Sequence, residues 1–468
     1  METKSDEPSD VAEKEANPSS AEYPFAFHLR KWSGFVFCCC CYMLVHFHRY
    51  CPSVLADEMA PALGVPTSKL GIFSSMYFWS YAIMQPIVGC FSDLIEPGYI
   101  LGVSGIISAI GSLICGLSKS FTLSSIARFF VGLGCSCPYC ATARFMANWW
   151  TPTKFYTMTS ILFCIGGIGG IISQKPLIAL GQAIGWRWSL ISISIFGFVF
   201  SICAFIFVRS SPVYYGFNAV QGTSRPPPHR SLPSMLKTVG LNLLEICKIP
   251  KFWIHSVAIF FSVSTFQNLS GMWAVPYLTD VYGYTSSEAG TITLSLMVVM
   301  IVGSPFLGFI SVRFHMTKWL EVICIAFSIV IEIIFVIWTD KIPEWALYVL
   351  FFLFGVSTTS TQSFTLPMYK DMVKPELAAS VSGCGNMFIF LGAAVMQNIT
   401  SAILSTYGVQ PYPTEGYRGA LWGFSLGSSC VALIAAIVLP TKKKEKEENN
   451  VEEEEEEEEG HEAHLQEM

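Results

Sequence analysis

Three basic side chains interrupt long apolar blocks of this sequence: Arg49, Arg128 and Lys175. A cation among hydrocarbon side chains costs several kcal/mol unless it faces a partner or a polar cavity, so each is a candidate for holding negative charge. Arginine grips a carboxylate or phosphate through a planar fork, and lysine acts as a point charge. His46 falls three residues before Arg49, on the same face of a helix. Its imidazole is the side chain that could exchange a proton near neutral pH. A neutral set accompanies the bases: Gln174, Gln267, Asn268, Gln362, Asn386 and Gln397. Amides in apolar surroundings can hydrogen-bond the remaining polar groups of a bound solute. Catalysis is a poor reading, since there is no Gly-rich phosphate loop ending in Lys-Ser or Lys-Thr and no H-E-x-x-H.

The elements that must position these residues follow from composition. Of 468 residues, 52% are hydrophobic and 13% charged, against roughly 25% charged in a soluble domain. Apolar blocks of about 20 residues are what a helix needs to cross a bilayer. Twelve spans are predicted, near 33–56, 69–92, 98–118, 121–147, 155–181, 187–208, 252–278, 287–312, 318–338, 345–369, 377–405 and 418–440. The polar N-terminus shows no secretory signal. Most of the 28 Lys and Arg, including Lys31, Arg209, Lys251, Arg313 and Lys442, fall on one side if both termini are cytoplasmic. On that topology Arg49, Arg128 and Lys175 share a depth of roughly 10–12 Å beneath the outer surface, at 1.5 Å rise per residue.

The predicted organisation is a disordered cytoplasmic N-terminus (1–31), a six-helix bundle (32–208), a cytoplasmic linker with Pro226 to Pro228 (209–250), a second bundle (251–440) and an acidic disordered tail (441–468). A shift of 219 residues places Phe47, Gly64, Gly71, Pro86 and Gly89 on Phe266, Gly283, Gly290, Pro305 and Gly308. A shift of 223 places Gly132, Pro152 and Gln174 on Gly355, Pro375 and Gln397. Such repetition is how many transporter folds are built. The 16 cysteines, Cys38 to Cys41 among them, assemble no metal-ligand spacing and read as small apolar residues.

Gly89-Cys-Phe-Ser-Asp93, Arg128-Phe-Phe-Val-Gly132-Leu-Gly134, and the cluster Gly166, Gly167, Gly169, Gly170 with Pro176 together resemble signatures of the major facilitator superfamily, over roughly residues 30–440. Leu94 and Glu96 depart from the family's usual Arg and Gly, and Val312 stands where the second half could repeat the Asp. The resemblance implies an all-α membrane protein of two pseudo-symmetric six-helix bundles that alternate access by rocking. It also implies gating roles for Gly89, Asp93, Gly166 and Gly170, and a central cavity bordered by spans one, four and five.

Arg49, Arg128 and Lys175 would then form a cationic wall facing neutral amides. The solute expected is anionic: an organic anion or a phosphorylated metabolite. An amino-acid or dipeptide carrier of the lysosomal type and a non-transporting nutrient receptor stay open. Arg128 can equally be structural, and Lys175 can snorkel outward. Lacking a nucleotide loop, transport would be secondary, with no cofactor and with proton coupling through His46 open. The expected partners are the small-molecule substrate and the lipid bilayer, without nucleic acid, and the chain is expected to act as a monomer in a plasma or lysosomal/vacuolar membrane.

Overall fold

The computed structural model describes residues 23–220, 232–314, 316–374 and 377–440. The acidic tail, Pro226 to Pro228 and most of the predicted N-terminal tail lie outside them. Among the described residues the chain is helical throughout, in two sets of six spans. In the first half these are span 1 (Phe25–Ala62), span 2 (Thr67–Leu94), span 3 (Pro97–Leu117), span 4 (Phe121–Cys135 and Pro138–Trp149), span 5 (Pro152–Ile172 and Lys175–Ile184) and span 6 (Trp186–Phe207). In the second they are span 7 (Pro250–Asn268 continuing through Ala274–Tyr282), span 8 (Ser286–Phe314), span 9 (Thr317–Ile337), span 10 (Glu344–Lys370), span 11 (Ala378–Ser405) and span 12 (Thr414–Tyr417 continuing through Phe424–Val438). The face where spans 1 and 12 meet the chain ends is called terminal below, and the opposite face distal.

Six described helices are long and apolar enough by themselves to cross a membrane: spans 3, 6, 8, 9, 11 and 12. Span 4 falls short because it is broken into helices of 15 and 12 residues, and spans 1 and 2 carry polar residues such as His46, Arg49 and Gln85. Their place inside the bundle compensates, since polar groups in a span face protein or a cavity. Lipid-facing surfaces are the reverse, with Ile195, Phe196, Ile202 and Ile206 of span 6 and Ile323, Val330 and Ile337 of span 9 exposed.

Several predicted helices differ in detail. Span 1 begins at Phe25, earlier than expected, because Phe27 is buried against the ring of Trp149 at the foot of span 4. Span 4 is interrupted at Ser136 and Cys137 ahead of Pro138, whose missing amide hydrogen suits the first turn of a new helix. Span 5 bends by 42° between Ile172 and Lys175, at Ser173 and Gln174. Span 7 contains a π-turn over Leu269–Trp273 and span 12 another over Arg418–Gly423. The linker holds a helix, Leu232–Ile246, that meets span 7 at 92°.

Lipid tails are as apolar as the helices, so packing inside the halves relies on close backbone approach. A side chain at Gly132 would strike the Tyr77 carbonyl of span 2, and one at Gly134 the Ser104 carbonyl of span 3. The fourth-span signature is therefore a docking surface for two neighbours at once. In the second half the distal end is filled by rings, with Phe335 and Trp422 stacked 3.9 Å apart and Tyr277 edge-on to Trp422.

Candidate functional site

The two halves meet along spans 2 and 11 and along spans 5 and 8. Near the distal face they are tied together by polar contacts. Ser286 donates to Asp57 at 2.8 Å, the Ser68 amide to the Tyr412 hydroxyl at 2.9 Å, and Ser75 to Asn398 at 3.0 Å. Gln410 reaches both Asp57 and Asp280, at 3.5 and 2.7 Å, and also bonds Thr67. Asp280 accepts further bonds from the Tyr412 amide and the Tyr417 hydroxyl. A cleft of about 660 Å³ lies over this closure, lined by Asp57, Thr67, Asp280 and Gln410 among others. The distal side is thus closed in this structure.

Below the closure, Arg49 points from span 1 to the seam between the halves. It is buried, with its guanidinium carbon 5.4 Å from the ring centre of Tyr81 on span 2 and 4.9 Å from that of Phe390 on span 11. The two rings are themselves 4.1 Å apart. The Arg49 Nε has no hydrogen-bond partner among the described residues. Neighbouring Tyr50 also crosses the seam, its ring 6.4 Å from Phe266 and its hydroxyl 3.6 Å from the Met300 sulfur. A buried guanidinium held by aromatic faces with a free N–H is a ready counter-charge for an anion.

The amides are placed on both sides of the seam. Asn386 donates to the Gln85 side chain of span 2 at 2.7 Å. Gln397 donates to the Gln267 main-chain carbonyl at 3.2 Å, leaving the side-chain oxygens of Gln267 and Gln397 without a partner among the described residues. The π-turn follows directly after Asn268, and it brings Gly271 so close to Gln397 that a Cβ would lie 2.8 Å from the amide nitrogen. Such single-turn insertions often occur at functional sites. Unfilled buried oxygens can accept hydrogen bonds from hydroxyl or amine groups of a solute.

The other predicted site residues are placed elsewhere. Arg128 is used inside the first half: it bonds the His48 carbonyl, lies 3.8 Å from the Cys51 sulfur, and sits 4.9 Å from the Tyr77 ring centre. Lys175 starts the distal segment of span 5 with an exposed side chain, away from Arg49. His46 is buried between spans 1 and 5, its Nδ1 3.4 Å from the Tyr42 carbonyl oxygen, and a Cβ on Gly166 would meet its ring at 2.9 Å. Gln174, at the bend of span 5, accepts from Thr293 of span 8 at 2.8 Å. Asn268 donates to Thr400 at 3.0 Å, within the second half. The side chains of Gln362 and Asp93 lie outside the described residues, although both positions are helical.

The glycine cluster of span 5 serves two partners. Gly169 lies against the Met43 carbonyl and Gly166 against Tyr42 and His46, all on span 1. Gly167 and Gly170 face Ile301 and Met297 of span 8. Gly166 and Gly170, four residues apart, therefore serve different helices, each paired with a glycine three residues away. Gly89 is partly buried in the terminal part of span 2. Sequence reasoning did not single out Gln85 or Phe390. The available signal at Gln85 was an amide in an apolar span beside Pro86. Phe390 gave none, being one of 36 phenylalanines.

Among the described residues no group of His, Cys, Asp and Glu could hold a metal ion, and 15 cysteines form no disulfide.

Comparison with known proteins agrees with the fold. The Probable sulfoacetate transporter SauU of Cupriavidus necator is 21% identical over 289 residues, covering 59% of this chain and 64% of that one. The Hexuronate transporter of Bacillus subtilis is 23% identical over 269 residues, covering 57% and 61%. The chain thus spans less than two thirds of the length of these curated relatives. The crystal structure of a bacterial homologue to the human lysosomal transporter Spinster, inward-facing and occupied, superposes with a TM-score of 0.65 at 17% identity, over 89% of this chain and 96% of that one. The family model described as Major Facilitator Superfamily matches residues 38–396 and 256–465. With its paired six-helix bundles and the matched stretches taking in most of its length, this chain belongs to the major facilitator superfamily.

Proposed function

We propose that the chain is a secondary transporter that carries a small organic anion across a membrane by alternating access. The observation that carries this reading is the position of Arg49: a buried cation at the seam of two halves, its Nε unpartnered among the described residues. An anion entering from the terminal face would meet this charge, with Tyr81 and Phe390 as its apolar wall and the free oxygens of Gln267 and Gln397 as acceptors for its hydroxyl groups. Relatives named for sulfoacetate and hexuronate support a charged rather than neutral solute. The bias of Lys and Arg supports a cytoplasmic terminal face, so the closed distal side would be the outer one. No cofactor is needed, and a monomer suffices because both halves lie in one chain.

The test is uptake into proteoliposomes across hexuronates, sulfoacetate, sugar phosphates, dipeptides and neutral sugars. Saturable uptake of an organic anion, competed by other anions and unaffected by neutral sugars, is expected. Flux of the neutral members alone, or of none, would overturn the assignment.

A further inference from the structure

A second buried polar cluster lies away from the seam. His255 of span 7 and Glu321 of span 9 are fully buried, with Nδ1 and Oε1 3.8 Å apart. Neither oxygen of Glu321 receives a hydrogen bond among the described residues. Both residues stand one to two turns into their helices from the terminal face, after Pro250 and Thr317, roughly 6–8 Å deep at 1.5 Å per residue.

The surroundings are explicit. On the same helix Lys318 bonds the carbonyls of Ile437 and Leu439 while its charge still acts on Glu321, and Cys324 lies one turn on. Span 10 contributes Tyr369, whose ring centre is 4.6 Å from that of His255 and whose hydroxyl is 2.8 Å from that of Ser256. Span 11 contributes Cys384, packed with Tyr369 and Phe252. Span 12 offers Ala432 and Ala436, and span 8 offers Leu307.

We infer that His255 and Glu321 together form a proton-binding site whose occupancy is read by the seam between the halves. With one proton on the pair, the cluster is neutral, imidazole beside carboxylic acid. Losing that proton to water breaks the O–H bond and leaves a carboxylate in a largely apolar enclosure, which is unfavourable. The occluded arrangement is therefore the loaded one, and release requires water from the terminal face.

A mechanical path leads from the pair to the seam. Tyr369, resting on His255, is pressed against Gly385, where no side chain would fit. The next residue, Asn386, makes the bond to Gln85 that joins spans 11 and 2. Movement of the Tyr369 ring on deprotonation would reach that bond through one packed residue. Glu332, the other buried acid of span 9, accepts from Ser429 of span 12 and leads to no contact across the seam among the described residues. It serves as the control.

This inference rests on the transport reading only for its consequence, so two experiments separate them. Infrared difference titration of the full chain reads the carboxylic-acid carbonyl band in wild type, Glu321→Gln and Glu332→Gln. A band that bleaches between about pH 5 and pH 8, vanishes in Glu321→Gln and survives in Glu332→Gln is expected. A band insensitive to pH, or a titrating band that Glu321→Gln leaves intact, overturns the site. His255→Gln keeps the carboxyl and should shift the midpoint; an unchanged midpoint overturns the pairing, even if Glu321→Gln fails to fold.

In proteoliposomes loaded with the anion the wild type exchanges, Glu321→Gln should lose pH-gradient-driven accumulation by about tenfold while equal-pH exchange continues. Retained gradient-driven accumulation overturns the coupling. No exchange in wild type counts against the transport reading, and the infrared titration then decides the proton site by itself.

Discussion

The guanidinium of Arg49 rests 4.9 Å from the ring centre of Phe390, so the buried base of the first half is in direct contact with the second. Rocking the halves apart on either face changes that contact. The charge is thus positioned to sense both a bound anion and the state of the seam. Arg128, of the same residue type, also has an unpartnered Nε among the described residues, but its two terminal nitrogens are engaged by the His48 carbonyl and the Cys51 sulfur of its own half.

The two arginines are expected to fail differently. Arg128→Gln should lower the Tm of the purified protein and reduce transport of all accepted anions alike, because it unties span 4 from span 1. Arg49→Gln should leave the Tm nearly unchanged and alter the ranking among anions. Thermal melts beside a competition panel check both; a selectivity change in the Arg128 variant would move that residue into the site.

Gln85 and Asn386 join spans 2 and 11 at 2.7 Å. Replacing either by leucine leaves a buried amide without its partner, at a cost of about 1–3 kcal/mol. The double variant should lose less than the sum, since neither orphan remains. Unfolding free energies of the four proteins close the cycle, and strict additivity would show that the bond contributes nothing.

Gly167 and Gly170 set how closely spans 5 and 8 approach. A Cβ on Gly167 would lie 2.6 Å from an Ile301 side-chain carbon, so Gly167→Val should hold these spans apart and favour the distal-open form. Spin labels placed at the distal ends of spans 5 and 8 should report a longer distance than in wild type. Gly240, with open space around it, is the control, and Gly240→Ala should change nothing.

The family and its paired halves were legible in the sequence because hydropathy and the glycine signatures are local properties. The breaks in spans 4, 5 and 7 were not: Pro138 pointed to one, but the π-turn after Asn268 depends on how close Gln397 comes from another helix. Counting residues from the helix ends put Arg49, Arg128 and Lys175 at one depth, and depth says nothing about azimuth. The direction in which each side chain leaves its helix is set by neighbours such as His48 and Tyr77, far away in the chain. Glu332 stands in an apolar block of span 9, but its partner Ser429 lies 97 residues on. The pairing of His255 with Glu321 needed the fold.

The most direct measurement is equal-pH exchange of the accepted anion by Arg49→Gln and Arg49→Lys in proteoliposomes. Loss of exchange by about a hundredfold in the glutamine variant, with partial recovery in the lysine variant, is expected for removal of a buried counter-charge. Exchange at the wild-type rate and affinity in Arg49→Gln would contradict the placement of the anion at the seam.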